Sequence, residues 1–116
     1  MRATKYVLVI LAALMVSSAY GYDKTKVEGY IREAEYYTKQ AEAYDRDAAY
    51  YSRQAQKHMK DAEYYSKRGD DSKAKSYMRW AKDATDKASL RTRKAKEARN
   101  KAQLRMKWAE EEMKRK

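Results

Sequence analysis

The chain has 116 residues, no cysteine, no proline, no phenylalanine and a formal net charge of +11 at pH 7. Without cysteine, no disulfide can staple the fold. Leucine, isoleucine and valine are almost absent after residue 22, so the sequence lacks the aliphatic volume of a compact globular core. Alanine, glutamate, lysine, arginine and glutamine are strong helix formers, and their abundance predicts long helices with a thin apolar seam.

The N-terminal segment, 1–21, has the pattern of a secretory signal peptide. A basic start precedes an apolar run over residues 7–16, and Ala19 and Gly21 suit a signal peptidase. The alternative is a retained membrane anchor, but the run is only half of the roughly 20 apolar residues that a spanning helix needs. We therefore expect a secreted, extracellular protein with a single mature domain over residues 22–116.

A heptad pattern of alanines and aromatics runs through the first half of this domain. Alanines stand seven residues apart, and an aromatic residue follows each alanine three places later. Spacing of three and then four indicates one helix face that packs against a partner helix. This predicted seam consists of Ala34, Tyr37, Ala41, Tyr44, Ala48, Tyr51, Ala55, His58, Ala62 and Tyr65.

A second alanine series lies two residues out of phase with the first. A shift of two residues is about 200° of helix rotation, so one straight helix would carry its two seams on nearly opposite faces. Gly69 suits a helix C-terminus, and Asp70, Asp71 or Ser72 can cap a following helix. The second series consists of Ala74, Ala81, Ala88, Ala95, Ala102 and Ala109.

We therefore predict an all-α fold with one helix over residues 24–67, a tight turn over 68–71 and a second helix over 72–114. Folded back, the two helices form an antiparallel, alanine-seamed hairpin or coiled coil. The alternative is an extended bent rod that buries its seams only by self-association.

Several large apolar side chains stay incompletely covered even in the hairpin. Such exposure predicts a homo-oligomer or a matrix partner. The side chains are those of Met78, Trp80, Leu90, Leu104, Met106, Trp108 and Met113.

A longer repeat, two heptads in length, lies over the heptad pattern and reads EAEYYTKQ at 33–40, DAAYYSRQ at 47–54 and DAEYYSKR at 61–68. The second tyrosine of each copy belongs to the seam, and the first lies about 100° away at its flank. A phenol that is not buried is a hydrogen-bonding group that can also be oxidised. Surface contact or covalent cross-linking, with nearby lysines supplying amines, is therefore predicted for the flank tyrosines Tyr36, Tyr50 and Tyr64.

The two halves of the mature chain differ in charge. Residues 22–71 carry a net charge of −1, whereas residues 72–116 carry +10. The second half therefore predicts contact with polyanions such as acidic glycans, acidic proteins, mineral or anionic lipid. A secreted address argues against nucleic acid, and the alternative is a solvated face that keeps the helix soluble. The candidate polyanion-binding residues are Lys87, Arg91, Arg93, Lys94, Lys96, Arg99, Lys101, Arg105 and Lys107.

Arg68, Gly69 and Asp70 form the integrin-binding tripeptide on a turn that we expect to be exposed. An integrin-type receptor is therefore a candidate partner. The same three residues would also suit the end of one helix and the start of the next, so the motif has a purely structural alternative.

The sequence contains no arrangement that indicates catalysis. His58 stands in an aromatic position of the seam. The three consecutive acids Glu110, Glu111 and Glu112 point in three directions on a helix, so they cannot close one coordination shell. We therefore expect no enzymatic activity, no cofactor and no metal.

Abundant tyrosine and lysine behind a signal peptide, with the EAEYYTKQ-type repeat, resembles the secreted adhesive and scaffold proteins of invertebrates, such as mussel byssal and shell-matrix proteins. The byssal adhesive repeats are proline-rich and extended, whereas this chain has no proline and is predicted to be helical. Its alanine seams are similar in style to the helical silks of some insects.

With the seams and tyrosines, this resemblance implies a secreted matrix, structural or adhesive protein that self-associates through its Ala/Tyr seams and is cross-linked through tyrosine. The charge gives an alternative function. It is a secreted cationic effector, of host-defence or gamete-surface type, whose basic C-terminal helix engages anionic membranes or glycans.

Overall fold

The computed structural model describes residues 21–115, and these residues form two helices with no β-strand among them. Helix α1 spans Lys24–Lys67 and helix α2 spans Asp71–Lys114, with 44 residues in each. The predicted all-α fold of two long helices is confirmed. Helix α2 begins one residue earlier than position 72, and the predicted signal peptide lies, apart from Gly21, outside the described residues.

Each helix begins after an aspartate that caps its first turn. The Asp23 carboxylate accepts a hydrogen bond from the backbone N–H of Lys26 at 3.1 Å, and the Asp70 carboxylate accepts one from Lys73 at 3.2 Å. Such a cap satisfies one of the N–H groups that the first helical turn leaves without an intrahelical partner. Of the three caps predicted for α2, the structure uses Asp70.

The turn between the helices has the hydrogen bonds of a Schellman motif. The Gly69 N–H donates to the carbonyl of Ser66 at 3.0 Å, and the Asp70 N–H donates to the carbonyl of Tyr65 at 2.9 Å. Gly69 has a φ of 80°, a left-handed conformation that strains any residue with a side chain. The chain therefore reverses within three residues, and Asp70 both completes the end of α1 and caps α2.

The described residues fall into two compact units, and the first comprises residues 21–42 and 95–115. In this unit Glu33 contacts Arg105 at 2.9 Å and Lys26 contacts Glu112 at 3.8 Å, so the helices run antiparallel. The buried aliphatic side chains larger than alanine lie in this unit, and Val27 is the largest side chain that is fully buried among the described residues. Its core consists of Tyr22, Val27, Ile31, Ala34, Ala102, Met106 and Ala109.

The second unit, Ala43–Lys94, contains the turn. The carboxylate of Asp47 lies 3.9 Å from the guanidinium of Arg91, and the stacked rings of Tyr65 and Tyr77 have centroids 5.4 Å apart. The helices are again antiparallel. A residue seven positions further along α1 contacts a residue seven positions earlier on α2. The alanines buried in this unit are Ala55, Ala62, Ala74, Ala81, Ala84 and Ala88.

The structure buries most of both alanine series. All six alanines of the second series are buried, and so are four of the five alanines of the first series. The fifth, Ala48, is half-buried. The expectation that Met106 stays uncovered is wrong, because Met106 joins the same core cluster as Val27 and Ile31 and is 4% exposed. The others follow the expectation: Trp108 and Met113 are half-buried, and Met78, Trp80, Leu90 and Leu104 are exposed.

The two glycines of the helical region should respond oppositely to alanine. Gly69→Ala should lower the free energy of unfolding by about 1–2 kcal/mol, because a Cβ disfavours the left-handed conformation. Gly29→Ala should raise it by about 0.5–1 kcal/mol, because Gly29 lies within α1 and an added Cβ meets no atom within 4 Å. Urea denaturation followed by circular dichroism measures both, and a change of the same sign in the two variants would contradict the turn geometry.

Candidate functional site

A row of aromatic rings on α1 is covered by lysines from α2. We call Tyr37, Tyr44, Tyr51, His58 and Tyr65 the ring row. A cation within about 6 Å of a ring centroid is attracted by the ring quadrupole, by about 0.5–1 kcal/mol at an exposed site. The lysine–ring pairs, with the distance from Nζ to the ring centroid, are Lys101–Tyr37 (5.5 Å), Lys94–Tyr44 (5.8 Å), Lys87–Tyr51 (5.6 Å) and Lys73–Tyr65 (5.1 Å).

Two rings of the row also lie within cation–π distance of an arginine of α2. Each of these arginines contacts the acidic residue that begins a copy of the two-heptad repeat on α1. The Arg105 guanidinium lies 5.3 Å from the centroid of Tyr37, and its Nε donates to the Glu33 carboxylate at 2.9 Å. The two acids, Glu33 and Asp47, begin successive copies of the repeat and are two heptads apart on α1. Their arginine partners, Arg105 and Arg91, are likewise two heptads apart on α2. The equivalent contacts in the second unit are Arg91–Tyr51 (5.7 Å) and Arg91–Asp47 (3.9 Å).

Arginine alternates with alanine along this edge of α2. Ala84 and Ala98 stand one heptad before and one heptad after Arg91, and both are buried. On α1 the acids of the repeat alternate with Gln40 and Gln54 in the same way. The burial of Ala84 and Ala98 was not predicted from the sequence. Each follows an alanine of the second series by three residues, and the two stand two heptads apart, a pattern that could have revealed them.

One step of the ring row departs from the tyrosine–lysine pairing, because two aromatic rings face each other there. His58 stands where α1 otherwise carries tyrosine, and Trp80 stands where α2 otherwise carries lysine. The centroids of these two rings are 5.9 Å apart, and Tyr77 completes the cluster at 6.2 Å from His58 and 5.0 Å from Trp80. Nδ1 of His58 is buried without a hydrogen-bond partner among the described residues, a condition that costs about 1–3 kcal/mol.

The flank tyrosines lie beside the ring row and remain open to solvent. Tyr36, Tyr50 and Tyr64 are 60%, 51% and 49% exposed. Each of them packs edge-on against the seam tyrosine that follows it, with centroids 5.3, 5.3 and 5.1 Å apart. The phenol groups are therefore held on an ordered helix while their rings stay accessible.

The candidate receptor-binding turn has local structural roles. The Arg68 guanidinium lies 4.5 Å from the centroid of Tyr64. Asp70 caps α2, and Gly69 supplies the left-handed backbone. Arg68 and Gly69 are exposed and Asp70 is half-buried. Receptor binding stays a prediction, and the two ionic side chains of the motif already serve the fold.

The nine candidate polyanion-binding residues divide into two groups. The first group contacts rings of α1 and consists of Lys87, Arg91, Lys94, Lys101 and Arg105. The second group is exposed on α2 and consists of Arg93, Lys96, Arg99 and Lys107. Much of the positive charge of α2 therefore covers aromatic rings of the same chain.

The acids near the end of α2 behave differently from one another. Glu110 and Glu111 are exposed, whereas Glu112 is buried beside Lys26 at 3.8 Å and Arg115 at 3.5 Å. Within residues 21–115, no group of three or more potential ligands is placed to hold a metal ion. The buried carboxylate thus has two cationic neighbours and serves the packing of the first unit.

Comparison with known proteins gives no family for this chain. No family model, no curated protein and no solved structure matches it. Neither of the two described helices is long and apolar enough to cross a membrane.

Two triple variants that remove the same charge distinguish the lysines that cover rings from the cations that are exposed on α2. We call them the ring-covering triple and the outward triple. Replacing Lys87, Lys94 and Lys101 with glutamine should lower the free energy of unfolding by about 1.5–3 kcal/mol, the sum of three exposed cation–π contacts. Replacing Arg93, Lys96 and Lys107 with glutamine removes the same charge and should change it by no more than about 0.5 kcal/mol at each site. Equal losses in urea denaturation would show that the ring contacts contribute nothing.

Proposed function

We propose that the protein is a secreted structural component of an extracellular matrix or adhesive, in which chains associate through their outer surfaces and are cross-linked through tyrosine. The observation that carries this proposal is the set of flank tyrosines Tyr36, Tyr50 and Tyr64. They recur in every second heptad and are about half exposed or more, whereas the tyrosines of the ring row are half-buried.

The alanine seams are already paired within the chain. Association between chains therefore uses what lies outside the seams, and exposed apolar side chains are available for it. Met78, Leu104 and Leu90 are 55%, 41% and 39% exposed. Each of these side chains can bury apolar area against another chain.

The cross-link that we propose is the oxidative coupling of two phenols. Each phenol loses one hydrogen atom, and hydrogen peroxide accepts both atoms and is reduced to two water molecules. The two phenoxyl radicals then form one carbon–carbon bond next to the hydroxyl groups. An exposed ring on a rigid helix suits this reaction because a second chain can approach it without unfolding of either chain.

Peroxidase and hydrogen peroxide should join the purified protein into covalent oligomers that carry dityrosine fluorescence. The triple variant Tyr36→Phe, Tyr50→Phe, Tyr64→Phe should lose most of these oligomers, because its remaining phenols are less accessible. The matched triple Tyr37→Phe, Tyr51→Phe, Tyr65→Phe removes the same number of hydroxyls and should keep most of them. Equal cross-linking of the two variants at equal helicity would contradict the assignment.

The second candidate function is a secreted cationic effector that binds anionic membranes or glycans. The observation that favours it is the exposure of Arg93, Lys96, Arg99 and Lys107 on α2. The charge-matched triples described above also test this function, because binding to heparin should fall with the outward triple more than with the ring-covering triple. Binding by this route must weaken with salt, since exposed charges are screened over about 8 Å at physiological ionic strength.

A further inference from the structure

A groove in the second unit combines an exposed indole with several polar side chains. It lies at the step of the ring row where His58 and Trp80 replace tyrosine and lysine. Tyr50, Gln54, Asp83 and Lys87 line it as well.

The groove lies where an alanine position on the edge of α2 coincides with a departure from the tyrosine–lysine pairing. On the edge of α2 where arginine and alanine alternate, Ala84 lies opposite Gln54. No arginine therefore fills the space between the helices there. Trp80 replaces a lysine that would lie over the ring of α1. The indole is packed edge-on against Tyr77 at 5.0 Å and against His58 at 5.9 Å, yet it is 48% exposed. The structure therefore holds the indole in place and leaves part of it uncovered.

The polar groups around the indole can both donate and accept hydrogen bonds. Gln54 offers an amide, Asp83 a carboxylate and Lys87 an ammonium group. One acid and one lysine balance each other, although the whole chain carries a net charge of +11. A site for a polyanion would instead collect cations.

We propose that this groove binds a neutral polysaccharide. A pyranose ring has an apolar face of C–H groups, which can stack on the exposed indole, and an edge of hydroxyls, which can bond the amide, carboxylate and ammonium groups. An apolar surface with a few convergent polar groups is the usual composition of a small-ligand site. Such a site would attach the protein to a glycan of its surroundings, independently of tyrosine cross-linking.

Tryptophan fluorescence tests the proposal, because the chain has only two tryptophans. In the Trp108→Phe variant, Trp80 is the sole reporter, and titration with chitotriose or cellotriose should shift its emission to saturation. In the matched Trp80→Phe variant, Trp108 is the sole reporter. It packs against Tyr30 at 5.7 Å and Arg105 at 4.5 Å, both in the other unit, and should not respond.

A double variant removes the groove without removing the packing pattern. His58→Tyr with Trp80→Lys restores the tyrosine–lysine pair of the other steps and should keep the helicity and the melting temperature. Its affinity for the neutral trisaccharide, measured by calorimetry, should fall about tenfold or more, which corresponds to about 1.4 kcal/mol of binding free energy.

Three results would overturn the proposal. The first is the absence of a saturable response of Trp80 to either neutral trisaccharide. The second is a stronger response to a heparin-derived oligosaccharide, which would indicate a polyanion site. The third is a Trp80 signal that follows protein concentration instead of sugar, which would indicate a second copy of the chain on the indole. Peroxidase cross-linking would be unaffected in all three cases, so the proposed structural function can survive a failure here.

Discussion

The structure depends on a seam in which alanine is the most frequent buried residue, so most layers bury little apolar area. An alanine contributes a single methyl group to each layer, and Val27 is the largest fully buried side chain among the described residues. What the seam lacks is supplied at its edge, where rings of α1 meet lysines and arginines of α2. The ring–cation contact, repeated along the two helices, is therefore the interaction on which the pairing of this chain relies.

This interaction accounts for the unusual composition. A ring that is half-buried beneath an ammonium group has one wet edge, and tyrosine tolerates water there better than phenylalanine does. The charge difference between the halves has the same origin, since α1 supplies rings and acids while α2 supplies the cations that cover them. The groups left for function are those outside this pairing. They are the flank tyrosines, the outward cations and the groove beside Trp80.

The sequence predicted the two helices well because their signals are local. The phase shift between the alanine series and the residues around Gly69 located the turn to within one residue. The covering of the ring row could not be predicted in the same way, because it requires the register between helices, which neither helix encodes alone. For the same reason Met106 was wrongly expected to stay uncovered, whereas the spacing of Ala84 and Ala98 within α2 is itself a signal of their burial. The cluster of His58 with Tyr77 and Trp80 becomes visible only when the helices are paired.

The register between the two helices can be measured as one distance. Ala49 and Ser89 are exposed, and they lie between the contacts Asp47–Arg91 and Tyr51–Lys87. Spin labels on Ala49→Cys and Ser89→Cys, in this cysteine-free chain diluted with unlabelled protein, should give a double electron–electron resonance distance below about 30 Å, since packed helix axes lie about 8–10 Å apart. A distance of about 60 Å, the span of the intervening chain as one continuous helix, would contradict the account. A short distance that disappears on dilution would contradict it as well, because the pairing would then lie between chains.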